Sequence, residues 1–227
     1  MFLRRLIIAV VYNVVIFCAI LFGVAGTWHW WRAWVFIGVV VAATVVIMLT
    51  VFRDRPELLN ERFKGVIQRG QPRLDRLIMV LFLVGYSGLL IFTPFDVFRF
   101  HLLAKPGIVI SSLGLVFVVA GYWIVALAFM ENTFAVPVIK HQKERQHVVV
   151  DTGLYGIVRH PMYTGLILLL LGMPLWLESY AAALVAIFPI ALLMLRILVE
   201  ERFLRRELPG YEAYTERIRY RLAPLVW

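Results

Sequence analysis

The chain has 227 residues, 62% of them hydrophobic and 16% charged, with a formal charge of +9 and a mean hydropathy of +0.86. Soluble domains run to about 45–50% apolar and about 25% charged residues, so a water-soluble globule is excluded; the apolar residues fall in runs of about twenty, the length a hydrocarbon core asks of a spanning helix. The single cysteine, Cys18, lies inside such a run and excludes both a disulfide framework and a cysteine-based metal site.

In chain order, the first apolar run is Leu6 to Ala25, behind Arg4 and Arg5. It has the outline of a signal peptide but no small-residue cleavage pattern near its end, so it reads as a retained span. The second is Ala33 to Phe52. In the loop after it, Asp54 is placed to cap a short interfacial helix with Pro56 in its first turn, and Leu59, Phe63 and Ile67 would face lipid. Leu77 to Phe95 and Gly107 to Met130 are the third and fourth runs, and Gly107, Gly114 and Gly121 recur every seven residues as a helix-packing seam. The last apolar region, Met162 to Val199, is too long for one crossing. Breaks at Gly172-Met173-Pro174 and Glu178-Ser179 make it a helical hairpin, with Pro189 kinking its second arm. The fold class is therefore all-α: a polytopic integral membrane protein of five to six transmembrane helices including a C-terminal hairpin. Residues 1–130 hold four spans, and 131–227 hold a polar segment, the hairpin and a C-terminal segment.

With the N-terminus in the cytoplasm, 19 of the 23 Lys and Arg residues fall inside, three fall outside, and Arg196 is within the last span. The positive-inside rule thus sets the orientation, with both termini and the loops holding Gln68 and Gln142 cytoplasmic, and it accounts for the basic charge without nucleic acid. Trp28, Trp30, Trp31 and Trp34, and Trp176 at the hairpin turn, would anchor the outer interface.

Chemistry concentrates after Glu131. The polar segment carries His141, His147 and His160 and ends in Arg159-His160-Pro161-Met162-Tyr163-Thr164-Gly165, a helix N-terminus whose amides could hold an anion. His141 and His147 are six apart with no acidic cluster of ligand spacing, and the loop has no cysteine, so no metal is expected. Arg196 and Glu200, four apart, share a helix face and are able to pair, whereas Glu201 points about 100° away. An arginine a turn inside an apolar span faces a cavity or a partner.

These residues form an ordered set. His147-Val148-Val149-Val150-Asp151-Thr152-Gly153-Leu154-Tyr155, then Arg159 to Gly165, then Arg196 to Glu201 with Leu204, and then Tyr211 and Tyr214, resemble the isoprenylcysteine carboxyl methyltransferase family and the related phospholipid methyltransferases. The resemblance runs from about Gln146 to the C-terminus, and the first hundred residues carry no signature. It implies S-adenosylmethionine in a cytosol-facing pocket and a lipophilic acceptor arriving from the bilayer. By the resemblance His147, Val150, Gly153, Tyr155, His160, Tyr163 and Glu201 line the cofactor, with Arg159 and Pro161 at the helix entrance. Arg196 would meet the acceptor and Glu200 would orient Arg196. A carboxylate acceptor, as in carboxyl O-methylation of an isoprenylcysteine-like molecule, needs no base; a phospholipid amine or a thiol would need one, from Glu200, Glu201 or His160. The rival of another class is an NADPH-dependent sterol-type reductase, which shares an R-H-P-x-Y-like element and would need more basic residues near it. A non-catalytic lipid-binding or scaffold protein is the third reading.

Overall fold

The computed structural model describes residues 2–65, 67, 68, 70–139, 145 and 147–227. His141, Gln142 and the Phe63 side chain, on which expectations above rest, lie outside the described residues. The apolar runs form α1 (Phe2–Ala25), α2 (Trp31–Ile47) with a π-helical turn to Phe52, α4 (Arg73–Phe95) with a second to Phe100, and α5 (Ile108–Glu131). Between α2 and α4 lies the short α3 (Pro56–Phe63). The hairpin is α6 (Pro161–Trp176) and, after a turn, α7 (Tyr180–Val185) running into α8 (Ile187–Glu207). A last short helix, α9 (Tyr211–Arg217), precedes the C-terminal segment. Among the described residues five helical stretches are long and apolar enough to span a bilayer, α7 and α8 counting as one, and α6 is shorter. The chain is a multi-pass membrane protein.

The helix break before Pro189 falls at Ala186. Proline has no N–H and crowds the carbonyl four residues back, here that of Val185, so the interruption lies one turn upstream of the ring. α5 and α6 make the tightest contact. A Cβ on Gly114 would stand 2.6 Å from the Trp176 amide nitrogen, and one on Gly165 would stand 2.7 Å from the Gly121 carbonyl oxygen. Gly165 and Gly172 answer Gly121 and Gly114, so the seam is built from glycines on both helices. Gly107 is not part of it: it precedes α5 and a Cβ there would meet nothing within 4 Å.

Three further expectations are corrected. Arg55, not Asp54, occupies the position before α3, and no side chain caps that helix. Leu59 is buried with Leu58 against Met48, Val51, Phe52 and Phe129 rather than turned to lipid, because Arg55 bonds the carbonyls of Phe129 and Met130 and draws α3 beneath the bundle. Trp176 is 4% exposed and is no interface anchor. At about 1.5 Å per residue the 16 residues of α6 span about 24 Å, less than a hydrocarbon core of roughly 30 Å. The hairpin turn is therefore drawn inside the bundle. Its polar groups are met there by Arg32, which donates to the Trp176 carbonyl and pairs with Glu178 at 3.2 Å, and by Asp96, which accepts from Ser179 Oγ at 2.6 Å.

Candidate active site

At the opposite end of the bundle, the C-terminal ends of α5 and α8 and the N-terminal end of α6 surround a partly open cavity. Residues from 132–139 and 147–150, with α9, complete its wall. Arg196, Glu200 and Leu204 line it at intervals of four along α8, as residues on one helix face must, and Leu208, just past the helix end, continues the row. His147, Val150, Tyr155, Arg159, His160 and Tyr163 also line it. His147 lies against the Phe134 ring, with centroids 4.5 Å apart.

Glu200 and Glu201 have different partners because they project from α8 in different directions. Glu200 is half-buried and its Oε2 accepts the Tyr163 hydroxyl at 2.6 Å. Glu201 is 4% exposed and faces the chain behind the cavity. Its Oε1 takes Arg159 Nε at 2.7 Å and lies 3.2 Å from His160 Nε2, and its Oε2 takes Arg221 Nε at 3.0 Å. Arg159 spends its Nη1 on the carbonyls of Ile218 and Arg219. One buried carboxylate thus clamps the α6 N-terminus and the C-terminal segment to α8.

That clamp changes the expected anion site. The amides of Arg159 and His160 donate to the carbonyls of Tyr220 and Arg221 at 2.9 and 2.8 Å, and Thr164 Oγ1 donates to the Leu222 carbonyl at 2.7 Å. The C-terminal segment has taken these donors, and Arg159 has Nε and Nη1 engaged by Glu201 and by the Ile218 and Arg219 carbonyls, so the chain itself fills most of the expected anion site.

The expected pairing of Arg196 with Glu200 is also corrected. Arg196 Nε donates to Asp75 Oδ1 at 2.8 Å and Nη2 to the Pro137 carbonyl at 2.6 Å. The two residues do share a face, but Asp75, fully buried on α4, offers a desolvated carboxylate where Glu200 is held by Tyr163. Arg196 Nη1 has no hydrogen-bond partner among the described residues. The sequence reading placed Asp75 in a loop, since it began the third span at Leu77; α4 begins at Arg73, inside that basic loop. The available signal was a lone carboxylate beside an apolar run in a chain with one intramembrane arginine.

Gly153 and Glu201 lie outside the cavity wall, as does Pro161, which starts α6. Gly153 has φ +53°, and a Cβ there would stand 2.5 Å from the Glu131 carboxyl carbon. Glu131 also accepts from Thr152 Oγ1 at 2.9 Å, so Gly153 fits the turn around that side chain. Tyr155 and Tyr214 are joined, the Tyr214 hydroxyl donating to the Tyr155 carbonyl at 2.8 Å. Burial raises both phenols above their ordinary range, and Tyr211 too, where the Glu201 carboxylate adds to burial. These tyrosines are neutral hydrogen-bonding walls at physiological pH.

Residues 109–209 match the model of a family described as phospholipid methyltransferase. No curated protein matches the chain. Among solved structures the chain is similar to the eukaryotic intramembrane Ras methyltransferase ICMT, isoprenylcysteine carboxyl methyltransferase, over 99% of this chain and 86% of that one, with 17% identity and a TM-score of 0.48. The family match runs from the start of α5 to the end of α8, a little under half of the chain, and takes in His147, His160, Arg196 and both glutamates, so this part of the chain is similar to the phospholipid methyltransferases.

Proposed function

We propose that the protein methylates a lipophilic acceptor of the bilayer with S-adenosylmethionine, and that the acceptor presents a carboxylate, as an isoprenylcysteine does. The observation that carries this reading is the arrangement of opposite charges in one cavity: Arg196 with a free Nη1, and Glu200 with Oε2 held by Tyr163 and no hydrogen bond at Oε1 among the described residues. The donor set fits the cofactor. Glu200 supplies negative charge for its cationic groups, and His147, Val150, Tyr155, His160 and Tyr163 supply a largely apolar and aromatic wall. When bound, S-adenosylmethionine supplies a methyl group on a sulfonium sulfur for in-line displacement by an acceptor oxygen.

The residues of the chain have defined tasks in this reading. Arg196 Nη1 hydrogen-bonds the acceptor carboxylate and sets its orientation, while Glu200 fixes the cofactor's position. A carboxylate carries no proton to be removed, so neither glutamate acts as a base. Arg159 and Glu201 hold the wall rather than the cofactor, and the termini and the cavity face the cytosol. An amine or thiol acceptor would need Glu200 as base, and its Tyr163 hydrogen bond opposes that task. The reductase reading requires cations for a dinucleotide's phosphates. Of the two arginines lining the cavity, Arg159 has Nε and Nη1 engaged by Glu201 and main-chain carbonyls, and Arg196 has only Nη1 left beside Asp75 and Pro137, which suits a single carboxylate better than the three phosphates of NADPH.

Calorimetry on the detergent-purified protein tests the proposal, with S-adenosylmethionine, S-adenosylhomocysteine and NADPH as ligands. Saturable binding of the two adenosyl ligands, weakened about tenfold or more in Glu200→Gln, is expected for loss of a charge-assisted contact. Binding of NADPH alone would make the protein a reductase, and binding of none would leave a scaffold.

A further inference from the structure

We propose that Asp75 is the positioning residue for Arg196: it fixes the guanidinium so that Nη1 points into the cavity at the acceptor's anionic group. The inference rests on the reading of Arg196 given above and adds a residue from α4, outside the matched segment 109–209.

A guanidinium is planar, so fixing two of its nitrogens fixes the direction of the third. Nε is held by Asp75 Oδ1 at 2.8 Å and Nη2 by the Pro137 carbonyl at 2.6 Å, which leaves Nη1. Asp75 is itself immobilised. Its Oδ2 accepts Gln71 Nε2 at 2.7 Å and the Ile139 amide at 3.0 Å, and its side chain is 0% exposed. Arg196 is 6% exposed at its side chain, so water cannot take the place of either partner. The carboxylate therefore accepts from donors on both sides: Arg196 on one oxygen, and Gln71 with Ile139 on the other. An asparagine has the same shape but one oxygen, and whichever way it is turned its NH₂ faces a donor. A long arginine freed from this support has rotamers to lose on meeting the acceptor, and ordering them would weaken acceptor binding.

The effect belongs to the acceptor side alone, because Glu200 and Tyr163 bond each other without Asp75. That separates positioning from general support of the fold. Asp75→Asn and the milder Gln71→Met, which keeps both charges and removes one donor to Asp75, are to be compared with wild type in the full chain. The readouts are acceptor KM and kcat with N-acetyl-S-farnesylcysteine, the Kd of S-adenosylhomocysteine, and the rate at which phenylglyoxal modifies Arg196, followed by mass spectrometry. Asp75→Asn is expected to raise acceptor KM about tenfold, to leave the adenosyl Kd within about twofold, and to speed Arg196 modification about threefold or more; Gln71→Met should move each quantity the same way by less. Unchanged acceptor KM and unchanged Arg196 reactivity would overturn the proposal, and so would a parallel loss of acceptor and adenosyl binding. If wild-type protein transfers no methyl group, the proposed function fails, but the modification rates still decide whether Asp75 holds Arg196.

Discussion

Glu200 and Glu201 are neighbours in sequence with separate tasks, and substitution should separate them. Glu201→Ala would leave Arg159, Arg221 and His160 without their shared carboxylate, two of them at 6% exposure or less. Removing one partner of a buried ion pair costs about 3–5 kcal/mol, so this variant is expected to lose much of its thermal stability in detergent and to release the C-terminal segment to limited proteolysis. Glu200→Gln keeps an amide oxygen to accept the Tyr163 hydroxyl and loses only the charge assistance of that bond, at most about 0.5–1.5 kcal/mol, and should stay close to wild type in the same melt. Equal destabilisation by the two would refute the clamp. Sequence spacing was enough to see that Arg196 and Glu200 share a helix face and that Glu201 does not. It could not supply partners: Asp75 lies 121 positions from Arg196 and Arg159 lies 42 from Glu201, separations that only the folded chain closes.

The helices were legible because hydrophobic length is a local property, and each apolar run appears as a helix with its ends displaced by a few residues. What one helix presents to another is not local. Gly114 and Gly121 announced a seam by their spacing, but that Gly165 and Gly172 form its other half depends on how α5 and α6 are aligned. At this crossing the backbones approach closely enough that a Cβ on Gly165 would lie 2.7 Å from the Gly121 carbonyl oxygen and 2.8 Å from Val125 Cγ2. Gly165→Val should therefore force the helices apart, at a cost of about 1–3 kcal/mol for overpacking, and displace His160 and Tyr163 at the head of α6. Gly88→Ala on α4, where a Cβ would meet nothing within 4 Å, is expected to be neutral or stabilising by up to about 1 kcal/mol through helix propensity. Melting of the two variants in the same detergent checks the pair, and a Gly165→Val protein as stable as wild type would mean that the seam is looser than its geometry.

Across the whole molecule the two ends of the bundle are chemically distinct. One end gathers the basic loops, the cavity and the ion pairs of Asp75 and Glu201. The other gathers the exposed Trp28, Trp31 and Trp34, with Arg32 and Asp96 fastening the buried hairpin turn. A methyltransferase drawing on a cytosolic cofactor needs the cavity end in the cytosol, and the basic residues favour the same orientation. Three positions test it: Gln68 beside the cavity end, exposed Glu216 on α9, and exposed Lys105 in the loop before α5. The one native thiol, Cys18, is partly buried within α1 and adds little background. On intact cells a membrane-impermeant maleimide should label Lys105→Cys and leave Gln68→Cys and Glu216→Cys unlabelled until the membrane is opened. The reverse pattern would put the cavity on the face away from the cytosol, and both the proposed cofactor and the role assigned to Glu200 would fall with it. Labelling of Gln68→Cys and Lys105→Cys together from outside would instead break the topology itself, because α4 separates those two positions by one crossing.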